Sequence, residues 1–415
     1  LSVAGNQKGI EAGERSSLFF EAIRIIKEMR EATNGVYPNY AVWENVCFDQ
    51  NTLITCENGY RRISDVKIGD KVKTLSGKYL PVLKLHRTEN QEVVKIKLSG
   101  GEDLIVTPNH PFYAREKYHD KSNNNRIITS PEWTRADALS TKSLIGYSVD
   151  TPTIDSGALT DDLAWALGRW LADGSVDLKR SNPRVFISSG LKKRDETKLM
   201  LSKLPWEVYE NTPHKTAVNF VFTSIDFYRI IENAGMGAAN KRVPSEVFNM
   251  PIPTQQCVLD GYMSGDGYCR SRYGSVELTA TTASRELAYG LCRLIRNCYH
   301  IGANISKAPA KDGNINGRIL HANYPSYRIN ATITNKTSLS IYENGIVWQP
   351  VQKIERVLQN QTVYNLSVSE DNTYEANSVI VHNCGAFSSN RGNDFRLVLE
   401  ALARVSEPSV SIPKP

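Results

Sequence analysis

The sequence predicts a mixed fold: an all-β domain interrupted by an α+β domain, with pieces of an α/β domain at both ends. Three observations predict it. Short apolar strands separated by turn signals run from position 47 to about 150 and resume from Trp348 to Ile380, a spacing typical of all-β domains. Between them, helical periodicities alternate with strand-like runs, and outside them the pattern changes again to amphipathic helix. The order fragment, β, mixed, β, fragment is that of an insertion within an insertion. A chain of 415 residues is long enough for roughly two to four domains.

Taken in order, the chain opens with an amphipathic helix, Ser17 to Thr33, whose apolar residues Leu18, Phe19, Ile23, Ile25, Ile26 and Met29 stand among charges. Tyr40 to Val46 reads as a buried strand. After Cys47 come strands at Thr52–Thr55, Lys71–Thr74, Glu92–Leu98 and Asp103–Val106, divided by Glu57-Asn58-Gly59, Ser76-Gly77 and Ser99-Gly100-Gly101. Helices are expected near 159–172, 191–203, 225–234, 254–265 and 284–299, and a last one at Asp394–Ala403. The expected divisions are 1–46, 47–150, 151–345, 346–383 and 384–415. Because Leu1 opens on what reads as mid-domain sequence, the chain is expected to be a fragment of a longer protein.

Composition is that of a globular protein, 40% hydrophobic and 23% charged, enough for sizeable cores. The formal charge of +6 mildly favours a polyanionic partner. Seven cysteines form no C-x-x-C pair, so free thiols in a reducing, cytoplasmic setting are expected rather than a disulfide framework. No apolar run is long enough to cross a bilayer, and no membrane partner is expected.

The residues that carry chemistry lie at two junctions. One is Val46-Cys47; the other is Val381-His382-Asn383-Cys384. An asparagine amide can attack its own backbone carbonyl, forming a succinimide and cutting the next peptide bond, with a preceding histidine moving the protons. A cysteine thiol is a strong nucleophile near neutral pH. Cys47 can therefore attack the carbonyl of Val46 and turn that amide into a thioester. Transfer of the upstream segment to Cys384, cyclisation of Asn383 and an S-to-N shift would then join Val46 to Cys384.

Cys47-Phe-Asp-Gln-Asn-Thr-Leu-Ile-Thr55 with Ile63-Ser-Asp-Val-Lys-Ile-Gly-Asp-Lys-Val72 resembles the opening motif of inteins of the hedgehog/intein (Hint) fold. Thr107-Pro-Asn-His110 is similar to their T-x-x-H motif, and Val363–Val368 with Tyr374–Asn377, and Ser378–Cys384, resemble the two closing motifs. The resemblance implies a horseshoe-like β-domain that splices itself without a cofactor. It also implies that His110 protonates the departing amide nitrogen of Cys47 while Thr107 holds the scissile peptide. Two positions depart from the pattern: many inteins carry aspartate where Asn365 stands and histidine where Asn372 stands. Splicing is therefore expected to be slower or to rely on other groups.

Leu163-Ala-Trp-Ala-Leu-Gly-Arg-Trp-Leu-Ala-Asp-Gly174 and Val258-Leu-Asp-Gly-Tyr-Met-Ser-Gly-Asp-Gly267 are similar to each other, each an apolar helix ending in Asp-Gly. They resemble the paired motifs of LAGLIDADG homing endonucleases. The resemblance implies two αββαββα-like repeats about a pseudo-two-fold axis, with Gly168 and Gly261 letting the two helices pack backbone to backbone. Asp173 and Asp266 would then bind Mg²⁺ ions at the scissile phosphates of double-stranded DNA. Lys241 matches a lysine found between the motifs and is expected to polarise water or neutralise charge. Lys192, Lys193, Arg194, Arg270, Arg272 and Arg328 are candidate phosphate contacts. A monomer is expected, since both motifs lie in one chain.

The flanks resemble a DNA cytosine-5 methyltransferase through Leu1-Ser-Val-Ala-Gly5, Arg15-Ser-Ser-Leu-Phe-Phe-Glu21, Trp43-Glu-Asn-Val46, Gly385 to Gly392 and Asp394 to Glu400. In that family the glutamate at the position of Glu44 contacts the flipped cytosine, with S-adenosylmethionine as methyl donor. The attacking cysteine would precede Leu1, so this chain alone is not expected to methylate DNA. Two alternatives stand beside splicing. One is a splicing-impaired Hint scaffold that carries only a DNA-cutting endonuclease; the other is a non-splicing autoprocessing module, a class that usually lacks the Asn-Cys exit.

Overall fold

A computed structural model describes residues 47–383 apart from 121–124, 155–158, 180–181, 215, 316–317 and 335–339, together with Arg24, Glu28, Glu31 and Ala32. Those four are helical and fall within the helix expected at Ser17–Thr33. The rest of that helix, the strand expected at Tyr40–Val46, the helix expected at Asp394–Ala403, and the site candidates Glu44 and Cys384 lie outside the described residues.

The β-domain is a sheet of 14 strands built on two long antiparallel strands, Tyr79–Leu98 and Ile346–Val368. Their register shifts at several points between Val351 and Val368, and such bulges sharpen twist and let a long ribbon curl. Phe48–Asp49 adds to this pair, with Phe48 opposite both Tyr364 and Val106. At the other end of the chain, Thr373–Ala376 and Val379–His382 form a hairpin with Thr373 opposite His382. All four residues of Val379–His382 are buried, which is why this strand reads as an unbroken apolar run and not as an alternation. The hairpin turns through Asn377 and Ser378, at φ +47 and +64, the left-handed pair that a two-residue turn requires. Asn377 also ties the turn to the strand Leu53–Cys56: its Oδ1 accepts from the Leu53 N–H at 2.8 Å, and its own N–H donates to the Leu53 carbonyl at 2.7 Å.

The chain leaves this sheet after Ser143–Ser148 and returns at Ile341–Glu343 and Ile346–Val368, with Ser148 paired to Ile346. The sheet thus resumes at Ile341, slightly before the expected division at 345. Among the described residues, five α-helices, two four-stranded sheets and a two-stranded one lie between, the helices being α1 (Asp161–Asp173), α2 (Arg194–Leu201), α3 (Ile225–Glu232), α4 (Ile252–Asp266) and α5 (Arg285–Tyr299). Each helix falls where the periodicity placed it. Thr160, Ser224 and Ser284 cap α1, α3 and α5 through their hydroxyl oxygens.

The two sheets share one topology. Gly174–Asp177, Arg184–Gly190, Tyr209–His214 and Ala217–Thr223 are ordered first, second, fourth, third; so are Gly267–Arg272, Ser275–Thr282, Ala303–Ala308 and Ser326–Thr334. Alternation sends Val185, Ile187, Val218, Phe220 and Phe222 inward from one sheet, and Leu278, Ala280, Ile305, Ile329 and Ala331 from the other, into one core around α1 and α4. A second core fills the β-domain. Leu53 and Tyr60 of the β-domain belong to the first core, with Tyr60 5.5 Å from Tyr289 of α5 between ring centroids, so the units are packed against each other. No helix among the described residues is long and apolar enough to cross a membrane.

Candidate functional site

Two sites emerge, one in each unit. In the β-domain, Cys47 and Asn383 are both buried and lie at opposite ends of the described chain. His110 links them. Its ring lies 4.2 Å from that of Phe48, the residue after Cys47, and Val381, two residues before Asn383, pairs with Phe112, two residues beyond His110.

The backbone N–H of Cys47, the group that departs in an acyl shift, donates to the Thr107 hydroxyl at 2.9 Å. The Cys47 carbonyl accepts from the Thr107 N–H at 2.9 Å. Thr107 therefore holds both backbone groups of Cys47: its hydroxyl the nitrogen of the Val46–Cys47 peptide, its N–H the carbonyl of the peptide that follows. His110 is fully buried and neither ring nitrogen is hydrogen-bonded. Burial, with His382 adding to it, holds its pKa well below the usual histidine range, so the ring is neutral. A buried neutral imidazole with open nitrogens can take and give a proton. In this arrangement Thr107, not His110, is the group bonded to the departing nitrogen.

At the other junction, His382 Nδ1 lies 2.6 Å from the carbonyl oxygen of Asn383. That carbonyl is the one its own side chain attacks on cyclisation, so an Nδ1–H donor there stabilises the charge that develops on oxygen. Burial lowers the pKa of His382, partly offset by the bond to Asn383. The side-chain amide of Asn383 satisfies both its groups when Nδ2 donates to the Asn372 carbonyl and Oδ1 accepts from the Val368 N–H, each at 3.0 Å. The Asn383 N–H also donates to the Asn372 carbonyl, at 2.8 Å. Asn372 thus acts through its backbone, at φ +56. The other departure, Asn365, is buried and its Oδ1 accepts from the Tyr374 hydroxyl at 2.6 Å and the Leu366 N–H at 2.7 Å. Sequence reasoning missed Trp133, whose ring packs edge-on 5.0 Å from His382. No motif marks it, because it reaches the site across the strand pairing of Glu132–Arg135 with Pro111–Asp120.

In the second unit, α1 and α4 touch backbone to backbone. A Cβ at Gly168 would stand 1.9 Å from the Val258 carbonyl oxygen, and one at Gly261 2.0 Å from that of Trp165. This close packing brings Asp173 and Asp266, the last residues of the two helices, into one electrostatic environment. Burial, and next the neighbouring Asp173, push the Asp266 carboxyl up to about 6. Because Asp266 keeps contact with solvent, screening moderates this effect. Asp173 is ion-paired with Arg169 one turn earlier, a pair that the i, i+4 spacing makes legible.

Lys241 departs from expectation. Its Nζ donates to the carbonyls of Trp170 at 2.7 Å, Leu171 at 3.1 Å and Gly174 at 2.9 Å. All three ammonium protons are used, so the side chain closes the C-terminus of α1 and has none left to polarise water. Burial lowers its pKa to about 8. Lys193 does the same for α4, through the carbonyls of Ser264 and Gly265. Among the other candidate phosphate contacts, Arg194 is paired with Glu210, while Lys192, Arg270, Arg272 and Arg328 are exposed.

Residues 24–383 match the family described as the intein splicing domain. The chain belongs to that family. Among curated proteins, this intein is 22% identical over 379 residues to an iron–sulfur cluster assembly SufBD family protein of Mycobacterium tuberculosis, covering 86% of this chain and 44% of that one. It is 23% identical over 460 residues to an ATP-dependent DNA helicase of Thermococcus kodakarensis, covering 92% of this chain and 39% of the relative. The chain thus spans less than half the length of these relatives. Among solved structures, it is similar to a variant of the Ssp DnaB mini-intein (11% identity, 83% of this chain and 96% of that chain, TM-score 0.29). It is also similar to I-DmoI in complex with DNA and Mn (14% identity, 41% of this chain and 88% of that chain, TM-score 0.28).

Proposed function

We propose that this intein splices itself out through an N-to-S acyl shift at Cys47, transfer of the upstream segment to Cys384 and cyclisation of Asn383. The observation that carries the reading is the bond from His382 Nδ1 to the Asn383 carbonyl: the donor stands where cyclisation places negative charge. Thr107 holds the Cys47 peptide, and neutral His110, beside Phe48, serves as the proton carrier. Intact mass spectrometry of the expressed chain tests this. A free species of residues 47–383 and a joined product of 1–46 with 384–415 are expected; persistence of only the intact chain refutes it.

The inserted unit is proposed to be a LAGLIDADG-type endonuclease acting on double-stranded DNA as a monomer. Its duplicated topology and the glycine contact between α1 and α4 support this. Two carboxylates at the adjoining ends of α1 and α4 suit a hard dication such as Mg²⁺, which would activate water and stabilise the leaving oxygen. No cluster of three or more metal-ligating side chains exists among the described residues, so phosphate oxygens and water would complete the shell. Asp173 and Asp266 would hold the ion, while the ion pair with Arg169 orients Asp173. Mg²⁺-dependent cutting of the uninterrupted host gene, lost in Asp173→Asn or Asp266→Asn, is the expected result.

The host is proposed to be a DNA cytosine-5 methyltransferase interrupted just after Glu44-Asn45-Val46, with S-adenosylmethionine bound by parts outside this chain. A full-length precursor bearing Cys47→Ala and Asn383→Ala is expected to transfer no methyl group. Methylation by that precursor refutes the reading.

A further inference from the structure

Helix α5 belongs by topology to the inserted unit, yet its three arginines, Arg285, Arg293 and Arg296, are spent on the β-domain. Arg285, in its first turn, donates to the carbonyl of Asn51 at 2.6 Å and pairs with Glu102. Asn51 lies in the turn that follows Cys47 and Phe48. Two turns on, Arg293 binds Asp150 bidentately, Nε to Oδ2 at 2.6 Å and Nη2 to Oδ1 at 2.7 Å, and its Nη2 also donates to the Tyr79 hydroxyl at 2.9 Å. Asn297 adds a bond to Asp150 Oδ2 at 2.8 Å.

Asp150 is itself one member of a buried chain. Lys73 bridges it to Glu375, at 2.5 Å and 3.3 Å, and donates to Ser148 at 2.7 Å; Ser148 donates to Glu375 in turn. Glu375 sits opposite Ile380 in the hairpin whose other strand ends in His382. Lys73, Glu375 and Arg293 are each no more than 2% exposed at the side chain. Unpaired charges in a network so fully desolvated are costly; Glu375 Oε2 has no hydrogen-bond partner among the described residues, and α5 supplies Arg293 and Asn297 to Asp150.

We infer that α5 positions both splice junctions, Arg285 the turn after Cys47 and Arg293, through Asp150, Lys73 and Glu375, the hairpin that carries His382 and Asn383. Both arginines are positioning residues, since neither touches the reacting atoms. The inference rests on the splicing reading. It adds that the inserted unit is a working part of the splicing machine rather than a passenger.

The test measures the two cleavages separately in the full chain: thiol-induced cleavage before Cys47 in an Asn383→Ala background, and cleavage after Asn383 in a Cys47→Ala background. Arg285→Met is expected to slow the first and Arg293→Met the second, each by about 10- to 100-fold, the loss that a displacement of about 1 Å produces. Each is expected to leave the opposite junction within about threefold. Asp150→Asn combined with Arg293→Met is expected to be no slower than the slower single variant, because residues of one network are not additive. Equal slowing of both junctions by either variant would mark general destabilisation and overturn the inference, as would wild-type rates in both. An unmodified chain that cleaves at neither junction instead sinks the splicing reading, and the inference with it.

Discussion

Replacing Gly261 by alanine separates two opposite expectations. In a helix whose surface is open, Gly→Ala stabilises by about 1 kcal/mol, because the added methyl restricts the unfolded chain and costs nothing in the folded one. Here the new Cβ would stand 2.0 Å from the Trp165 carbonyl oxygen and 2.9 Å from the Arg169 nitrogen, both backbone atoms of α1. Carbon and oxygen need more than about 3 Å, so the helices must part by roughly 1 Å at that point. Overpacking of this kind costs about 1–3 kcal/mol. For a unit of this size that lowers the melting temperature by about 2–12 °C, at 2–4 °C per kcal/mol.

The same displacement acts on chemistry, because the glycine contact holds the ends of α1 and α4 together and those ends carry Asp173 and Asp266. A shift of about 1 Å there is expected to lower the DNA-cutting rate by about 100-fold. Thermal unfolding followed by circular dichroism reads the first effect, and single-turnover cleavage with Mg²⁺ the second. Gly168→Ala, which meets the Val258 carbonyl oxygen at 1.9 Å, should behave alike. A melting temperature that rises in either variant would refute the close-packed pair and leave helix propensity as the only operative effect.

His382→Ala removes the donor at the Asn383 carbonyl and is expected to slow cleavage after Asn383 by about 10²–10³-fold, measured by intact mass in a Cys47→Ala background. Because burial holds His110 neutral, the unfolded chain binds a proton near pH 6.5 that the native site refuses. Stability is therefore lost as pH falls below about 6.5, and His110→Gln should flatten that slope in denaturant titrations at pH 5 and 7. Lys241→Met strips three acceptors at the end of α1 and is expected to cost about 3 kcal/mol or more, as hydrogen bonds to a charged group contribute about 1.5–3 kcal/mol. Loss of DNA cutting without loss of melting temperature in that variant would restore a direct role for the ammonium.

The helices of the inserted unit and the pairing of their glycines were legible because both depend on local periodicity and on the absence of a side chain. The junction residues were legible because their chemistry is particular to Cys, His and Asn. What the sequence hid was made by register. Trp133 meets His382 only because Glu132–Arg135 pairs with the strand following His110. The role of Asn372 lies in its carbonyl, which every residue type possesses, so its departure from the usual histidine carried no visible sign of what it does. Lys241 was readable as a charged residue between the two motifs, but not as the cap of α1, since that depends on three carbonyls about 70 positions away.

The nesting obeys one geometric rule at both levels. The inserted unit leaves the sheet after Ser148 and the chain re-enters it at Ile341–Glu343, which pairs with the strand whose Ile346 lies opposite Ser148, so its two ends lie within three adjacent strands and the sheet continues across the insertion. Insertions are tolerated where ends are adjacent and the parent pairing is unbroken. The outer boundary has the same form: the strand after Cys47 and the strand before Asn383 both run into the neighbourhood of His110. In the proposed splicing reaction adjacency there is a chemical requirement, since the acyl group has to pass from one junction to the other without diffusing. The inner insertion needs adjacency only for folding. The Arg293–Asp150 contact at the mouth of that insertion then decides whether the two levels remain independent, because it ties the point where the inner unit enters to the hairpin on which the outer reaction ends.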